Sequence, residues 1–249
     1  MMKKRYLVVL TLLLLTSLSL SACRIPFINV VRGSGNVISE SREVSGFDEI
    51  RLNGAGRLVI TQGDTEYLEI EAEDNILPEL TSDVSGSTLV LGYQDKFWRK
   101  SVIPTKEILY TLTVTDLFAI TFNGAADLEM AAFETSSLAI TINGAGKVNI
   151  DDLMADSVSV TINGTGNVSL AGEVADQEIN IDGAGNVRSG DLQTSRTLIE
   201  VNGLGNATVW ATELLDVTIN GGGTLNYYGN PSVTQDVNGT GDINNLGNK

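Results

Sequence analysis

The sequence predicts an all-β fold, a parallel β-helix (solenoid) with coils of about 18–20 residues. Three observations predict it. An Asn-Gly motif recurs at a nearly constant spacing, apolar and polar residues alternate on both sides of the motif, and the junction between motifs varies freely. Self-similarity with a period of about 20 residues is typical of repeat proteins, in which each unit is stable only when it stacks on its neighbours.

The motif reads as an apolar residue, Asn or Asp, Gly, any residue, a small residue, any residue and then usually an apolar residue. Counted from one Asn or Asp to the next, the steps between its eight copies are 70, 20, 20, 19, 20, 18 and 18. Their polar and glycine positions form a predicted turn ladder: Asn53 and Gly54, Asn123 and Gly124, Asn143 and Gly144, Asn163 and Gly164, Asp182 and Gly183, Asn202 and Gly203, Asn220 and Gly221, Asn238 and Gly239. At such a corner, glycine either takes a positive φ or lets neighbouring coils approach closely. The stacked Asn amides are expected to hydrogen-bond to one another and to the backbone.

The alternation of apolar residues indicates strands with one buried face. In one unit, Val158, Val160 and Ile162 alternate with polar residues before the turn. Val168 and Leu170 continue the alternation after it. A period of two is that of a β-strand. Asn-Gly is also the strongest short hairpin signal, so an antiparallel meander of β-hairpins is the alternative fold. A meander needs two reversals in each unit, whereas each period holds one strong turn motif, which favours the β-helix.

Residues 1–22 have the layout of a signal peptide of the lipoprotein type. Residues 3–5 are basic, and the apolar run from Tyr6 to Leu20 is shorter than the ~20 residues of a membrane span. The chain then reads Leu20-Ser21-Ala22-Cys23, which resembles the bacterial lipoprotein box, and Cys23 is the only cysteine. We therefore expect a lipid on Cys23 and an extracytoplasmic, membrane-attached mature chain. An ordinary cleaved signal and an uncleaved anchor helix are the alternatives.

The chain after the signal peptide divides into two predicted parts. Residues 23–40 are the lipidated cysteine and a tether, and residues 41–247 are the β-helix domain, with an interrupting loop at 92–106. The loop contains a basic and aromatic cluster: Tyr93, Lys96, Phe97, Trp98, Arg99 and Lys100. Aromatic faces and cations suit contact with a glycan or a lipid headgroup. Two other interpretations are that the aromatic rings pack on the flank of the β-helix while the cations offset nearby carboxylates, and that the cluster contacts a partner protein.

Charge and missing residue types exclude several functions. The chain has 31 Asp and Glu against 16 Lys and Arg, a net charge of −15, which opposes binding to nucleic-acid phosphates. Without histidine and with one cysteine, it has no Ser-His-Asp triad and no Cys/His zinc site. No cofactor or metal site is predicted. Glu69, Glu71 and Glu73 alternate along one strand and are expected to share a face, which we interpret as solvated, with Ca²⁺ binding as the alternative.

Several segments occur in a specific order along the mature chain. They are Val44–Ile50, Leu52–Gly56, Val59–Asp64 and Glu69–Pro78, followed near the other end by Leu215–Gly223 and Tyr227–Pro231. In this order they resemble the family of putative auto-transporter adhesins with a head GIN domain. The resemblance implies a right-handed parallel β-helix on a secreted or lipid-anchored bacterial surface protein, and it supplies no catalytic residues.

The predicted function is surface adhesion, or binding of a glycan or another envelope partner, without catalysis. The predicted partners are the membrane, through the lipid anchor, and a surface or envelope molecule, but not nucleic acid. A passive structural role or a signalling-associated sensor domain is the alternative. A polysaccharide-degrading enzyme that uses paired carboxylates is a further one, because β-helices also carry such activities.

The lipid anchor predicts a specific chemical modification. Labelled fatty acid should enter the wild-type protein, and Cys23→Ser should lose both the label and its membrane fractionation, because two acyl chains make attachment durable. The measurement is metabolic labelling followed by separation of membrane and soluble fractions. A wild-type protein without label would contradict the prediction.

Overall fold

Stacked β-strands make up the protein, whose computed structural model describes residues 29–93 and 100–249. The strands are β1 (Asn29–Arg32), β2 (Val37–Arg42), β3 (Glu49–Asn53), β4 (Ala55–Gln62), β5 (Tyr67–Glu73), β6 (Leu80–Ser85), β7 (Thr88–Tyr93), β8 (Lys100–Ile103), β9 (Leu109–Val114), β10 (Ala119–Phe122), β11 (Ala125–Met130), β12 (Phe133–Ile142), β13 (Ala145–Ile162), β14 (Thr165–Ile181), β15 (Ala184–Val201), β16 (Leu204–Ile219), β17 (Gly222–Tyr228), β18 (Ser232–Val237) and β19 (Thr240–Asn245). One 3-10 turn, Leu77–Glu79, lies between β5 and β6.

Each repeat is one coil of a solenoid. In β13, residues 145–150 pair in parallel with β14, as do residues 153–155 and 157–162, and corners separate the three runs. We call the run that follows the Asn-Gly corner the first face. The same parallel register joins β12 through β17. Parallel pairing confirms the predicted β-helix, and the antiparallel meander is wrong for the repeats.

Apolar side chains form columns inside the solenoid. Ile142, Ile162 and Ile181 are fully buried and pair with one another across neighbouring coils. Burial of one such side chain contributes ~1.5–3 kcal/mol, and a single coil has too few of them to be stable alone. The core therefore runs along the whole stack and depends on neighbouring coils keeping the same register.

The long first step of the motif, from Asn53 to Asn123, arises from an N-terminal cap. In space, β10 pairs with β3 and β11 pairs with β4, so the coil at Asn123 stacks directly on the coil at Asn53. The chain between these two coils builds the end of the solenoid. There, β5 is antiparallel to both β9 and β2, and β6 and β7 form a hairpin. Within the described residues, antiparallel pairing thus occurs only in the cap.

Two strands lie in the range that the sequence analysis assigned to a tether. β1 pairs in parallel with β8 in a separate two-stranded sheet, and β2 joins the main sheet. The predicted interrupting loop likewise contains β8 and the end of β7. These strands are short and pair with partners far away in sequence, so local periodicity carries little signal for them.

The ladder glycines allow coils to approach closely. Of the eight, Gly54 alone has a positive φ, of 136°. A Cβ atom on Gly164 would lie 2.1 Å from the carbonyl oxygen of Gly144, and one on Gly239 would lie 2.0 Å from that of Gly221. Any side chain at these positions would therefore collide with the preceding coil. Close approach, rather than backbone conformation, is the reason for glycine in the repeats.

A buried carboxylate holds the N-terminal cap together. Glu73, at the end of β5, is 1% exposed. Its oxygens accept hydrogen bonds from the backbone N–H groups of Gly35 at 2.7 Å, Thr105 at 2.8 Å and Lys106 at 3.3 Å, and from the Thr105 hydroxyl at 2.5 Å. Burial alone would raise the pKa of Glu73, but these hydrogen bonds lower it from 4.5 to about 2.

The position of Glu73 corrects one expectation. Glu69 and Glu71 are half-buried on β5, whereas Glu73 is enclosed by the chain and does not share a solvated face with them. Its partners follow β1 and β8, which lie far from β5 in sequence, so the alternating pattern alone places it on the wrong surface.

A lysine contact closes the C-terminal end. β18 and β19 each pair with one strand of the preceding coil, β16 and β17 respectively. The Lys249 ammonium lies 5.5 Å from the centre of the Trp210 ring and 5.2 Å from that of Tyr228. It also donates to the Gly190 carbonyl at 2.6 Å and to the Asp191 carboxylate. Cation–π and charged contacts thus hold the end of the chain against three coils.

Substitution at the glycine corner should cost more in the middle of the stack than at its end. Gly164→Val should lower the free energy of unfolding by about 2–4 kcal/mol, because coils on both sides prevent the corner from moving away from Gly144. Gly239→Val should cost about half as much or less, since the last coil can shift outward. Urea unfolding of the mature chain measures both, and equal losses would contradict coupling between coils.

The contribution of Glu73 to stability should disappear in acid. Because its folded-state pKa of about 2 lies below the unfolded value of 4.5, the carboxylate stabilises the fold above pH 4.5, and this stabilisation is lost as the pH falls toward 2. Urea melts should therefore show a difference between wild type and Glu73→Gln that is constant above about pH 5 and shrinks below it. A difference independent of pH would mean that the charge of Glu73 does not stabilise the cap.

Candidate ligand-binding groove

A row of hydrogen-bonded amides runs along the Asn-Gly corner. The Nδ2 of Asn143 donates to the Oδ1 of Asn123 at 2.9 Å, and Asn163 donates to Asn143 at 2.8 Å. The same bond joins Asn123 to Asn53, Asn202 to Asp182, Asn220 to Asn202 and Asn238 to Asn220. Each amide thus bonds to the coil before it and fixes the register of the corner.

Asp182 interrupts this row. It accepts a hydrogen bond from Asn202 at 2.9 Å, as an asparagine would. A carboxylate has no N–H to donate, so it cannot repeat the bond toward Asn163. The row therefore consists of two hydrogen-bonded segments that meet between these two residues.

A second row of polar side chains lies four residues after the corner, on the first face. Asn186 donates to Asn167 at 3.1 Å and Asn206 donates to Asn186 at 3.0 Å. The backbone N–H of Lys147 donates to Asp127 at 3.0 Å in the corresponding position. The sequence analysis missed this row, although several copies of the motif have a second Asn or Asp four residues after the first one.

A groove of about 630 Å³, which we call the corner groove, lies on the first face beside these polar residues. Its floor consists of small residues from four successive coils, and its wall comes from the segment before β9. The lining residues are Ala55, Gly56, Ala125, Ala126, Ala145, Gly146 and Thr165 on the floor, Asp127, Lys147 and Asn167 along one edge, and Pro104, Lys106, Glu107 and Ile108 on the wall. The small residues of successive motif copies therefore form an open channel that crosses several coils.

The groove presents charges of both signs. Glu107 lies 3.9 Å from the Arg57 guanidinium, which also pairs with Glu129 at 2.6 Å. Asp127 accepts the backbone N–H of Lys147, so both carboxylates of the groove already have partners. Lys106 and Lys147 add two cations to a protein with few of them. This arrangement suits hydrogen bonding to a polar ligand.

Two tyrosine rings support the first corner next to the groove. A Cβ atom on Gly54 would lie 2.7 Å from the Tyr93 ring, and one on Gly56 would lie 2.7 Å from the Tyr110 ring. Burial raises the pKa of both phenols. Tyr93 belongs to the predicted basic and aromatic cluster, and it packs against the core instead of pointing freely into solvent.

The other predicted contact residues are not all described. Lys96, Phe97, Trp98 and Arg99 lie outside the described residues, and so does the predicted lipidation site, Cys23. The backbone of Lys100 begins β8. Among residues 29–93 and 100–249, no group of acidic or other ligating side chains is arranged to hold a metal ion. Within the same ranges, no helix is long and apolar enough to cross a membrane.

Known proteins share this fold. A putative adhesin from Bacteroides fragilis is 28% identical with a TM-score of 0.81, covering 87% of this chain and 100% of its own. A putative lipid binding protein from Parabacteroides distasonis is 21% identical with a TM-score of 0.69, covering 88% of this chain and 100% of its own. A putative adhesin from Parabacteroides merdae is 18% identical with a TM-score of 0.63, covering 88% of this chain and 99% of its own. No curated protein sequence matches the chain.

The sequence profile of one family covers most of the chain. The family is described as putative auto-transporter adhesin, head GIN domain, and its profile matches residues 46–231. The match includes the N-terminal cap from Gly46 onward, the repeated coils and the corner groove. The chain belongs to the family of putative auto-transporter adhesins with a head GIN domain.

Proposed function

We propose that the protein is a lipid-anchored, extracytoplasmic adhesion protein that binds a glycan or another linear envelope polymer in the corner groove, without catalysis. Membership of an adhesin family supports a role at the cell surface. The lipoprotein-type segment that ends at Cys23 supports attachment to the membrane. The groove of about 630 Å³ is the observation that carries the binding part of the proposal.

The groove suits a chain-like ligand because its lining residues repeat from coil to coil. Neighbouring parallel strands lie ~4.8 Å apart, so the same small floor residue and the same polar edge position recur at that interval along the stack. Ala55, Ala125, Ala145 and Thr165 occupy successive floor positions. A polymer that lies along the groove would meet a similar set of groups at each coil, and weak polar contacts would add together.

The chemistry of the groove favours binding over catalysis. A general acid works from a carboxyl group enclosed in an apolar pocket, paired with a second carboxyl group across the bond that breaks. Here Glu107 is 60% exposed and lies 3.9 Å from the Arg57 guanidinium, and Asp127 is exposed and bonded to the Lys147 backbone, so neither carboxylate is enclosed in that way. The floor contributes methyl groups and backbone, which fit the surface of a ligand but carry out no proton transfer.

Filling the groove should weaken binding without disturbing the fold. Ala145→Leu places a large side chain on the floor, and Leu204 already occupies the equivalent position of another coil, where it is 71% exposed. Glycan arrays that carry bacterial surface polysaccharides, probed with residues 24–249, should show at least about tenfold weaker binding by Ala145→Leu.

Ala184→Leu is the matched control. Ala184 lies in the same column of the first face but outside the groove, so this variant should bind like wild type. Trp98→Ala tests the basic and aromatic cluster in the same experiment. Binding that is lost in Trp98→Ala but retained in Ala145→Leu would move the ligand site from the groove to that cluster.

A further inference from the structure

The small sheet formed by β1 and β8 exposes two apolar side chains and one cation on its outer surface. In the parallel register, Val31 pairs with Val102, and both pack against the core. Side chains alternate along a strand, so Val30, Arg32, Ser101 and Ile103 share the opposite side. We call these four residues the outer face. Val30 is 57% exposed and Ile103 is 48% exposed, and Arg32 is the one charged residue of the four.

Hydrogen bonds connect the outer face to the solenoid. The backbone N–H of Gly33 donates to the Ile103 carbonyl at 3.0 Å, which extends the pairing beyond β1. Glu73 then bonds to Gly35 after β1 and to Thr105 after β8. Any surface that holds the outer face would therefore also set the orientation of the capped end and of the coils stacked on it.

Few residues separate the outer face from the proposed anchor. Asn29, the first residue of β1, follows Cys23 by six residues. Six residues span at most ~20 Å when fully extended. A bilayer that holds a lipid on Cys23 is therefore within reach of this face, whereas the coil at Asn238 is seven coil steps further along the stack, or ~33 Å away.

We propose that the outer face of the β1–β8 sheet rests on the bilayer that holds Cys23, so that the solenoid projects outward from the membrane. The proposal rests on the lipid anchor of the proposed function. Val30 and Ile103 contribute apolar contact at the headgroup boundary, and Arg32 reaches lipid phosphates while its stem lies along the apolar surface. Without the three cations of residues 1–22 the net charge of the chain is −18, which opposes a solenoid that lies on its side on anionic lipid.

The test attaches a single acyl chain to the mature protein. Cys23 is the only cysteine, so its thiol can be coupled to a maleimide that carries one myristoyl-length chain. One such chain binds membranes only marginally, so an additional protein contact is visible in the partition. Sedimentation with vesicles of phosphatidylethanolamine and phosphatidylglycerol should show about tenfold weaker partition for the double variant Val30→Ser, Ile103→Ser.

Leu204→Ser is the matched control, because Leu204 is the most exposed of these apolar side chains, at 71%, and lies on the first face. Its partition should equal that of wild type, while Arg32→Glu should weaken binding to phosphatidylglycerol vesicles. Unchanged partition of the double variant, or an equal loss in Leu204→Ser, would overturn the proposal. Because the acyl chain is attached chemically, this result does not depend on whether cells lipidate Cys23. Fatty-acid labelling decides that question separately.

Discussion

Contact between the corner glycines of successive coils is the constraint on which the structure depends. The carbonyl oxygen of Gly144 would lie 2.1 Å from a Cβ on Gly164, and the same oxygen accepts the backbone N–H of Thr165 at 2.8 Å. The coils come close enough to form this hydrogen bond only because glycine has no side chain there. The amide row beside it holds each coil in register with the one before. Apolar columns can then stack residue on residue inside the solenoid.

The same constraint shapes the surface that we propose for ligand binding. When each coil repeats the corner, the residue two positions after Asn falls into one column, which is small in the coils of the groove, and the residue four positions after Asn falls into another, which is mostly polar. A groove with a regular floor and a polar edge follows from the repeat itself. The N-terminal cap limits this groove, because the segment that contains Lys106 and Glu107 folds over its first coils. The fold therefore provides a rigid surface with repeating groups.

The repeated coils could be predicted from the sequence, and the cap could not. Local period, alternation and the Asn-Gly corner all act within about 20 residues, so they are readable along the chain. The cap depends on antiparallel pairing between distant segments, such as β2 with β5. Glu73 illustrates the difference, since its burial arises from donors near residues 35 and 105. The groove was missed because its wall comes from the cap, while its floor of small residues carries no chemical signal.

Hydrogen exchange of the backbone amides at the corner tests most directly whether coil contact holds the structure together. The amides of Ala145, Thr165 and Ala184 each donate to a glycine carbonyl of the preceding coil, at 2.8–2.9 Å. If the stack unfolds as a coupled unit, these three amides should exchange only through global unfolding, with the same dependence on urea, and Thr240 in the last coil should exchange faster. Rapid exchange at Thr165, independent of its neighbours, would contradict the account.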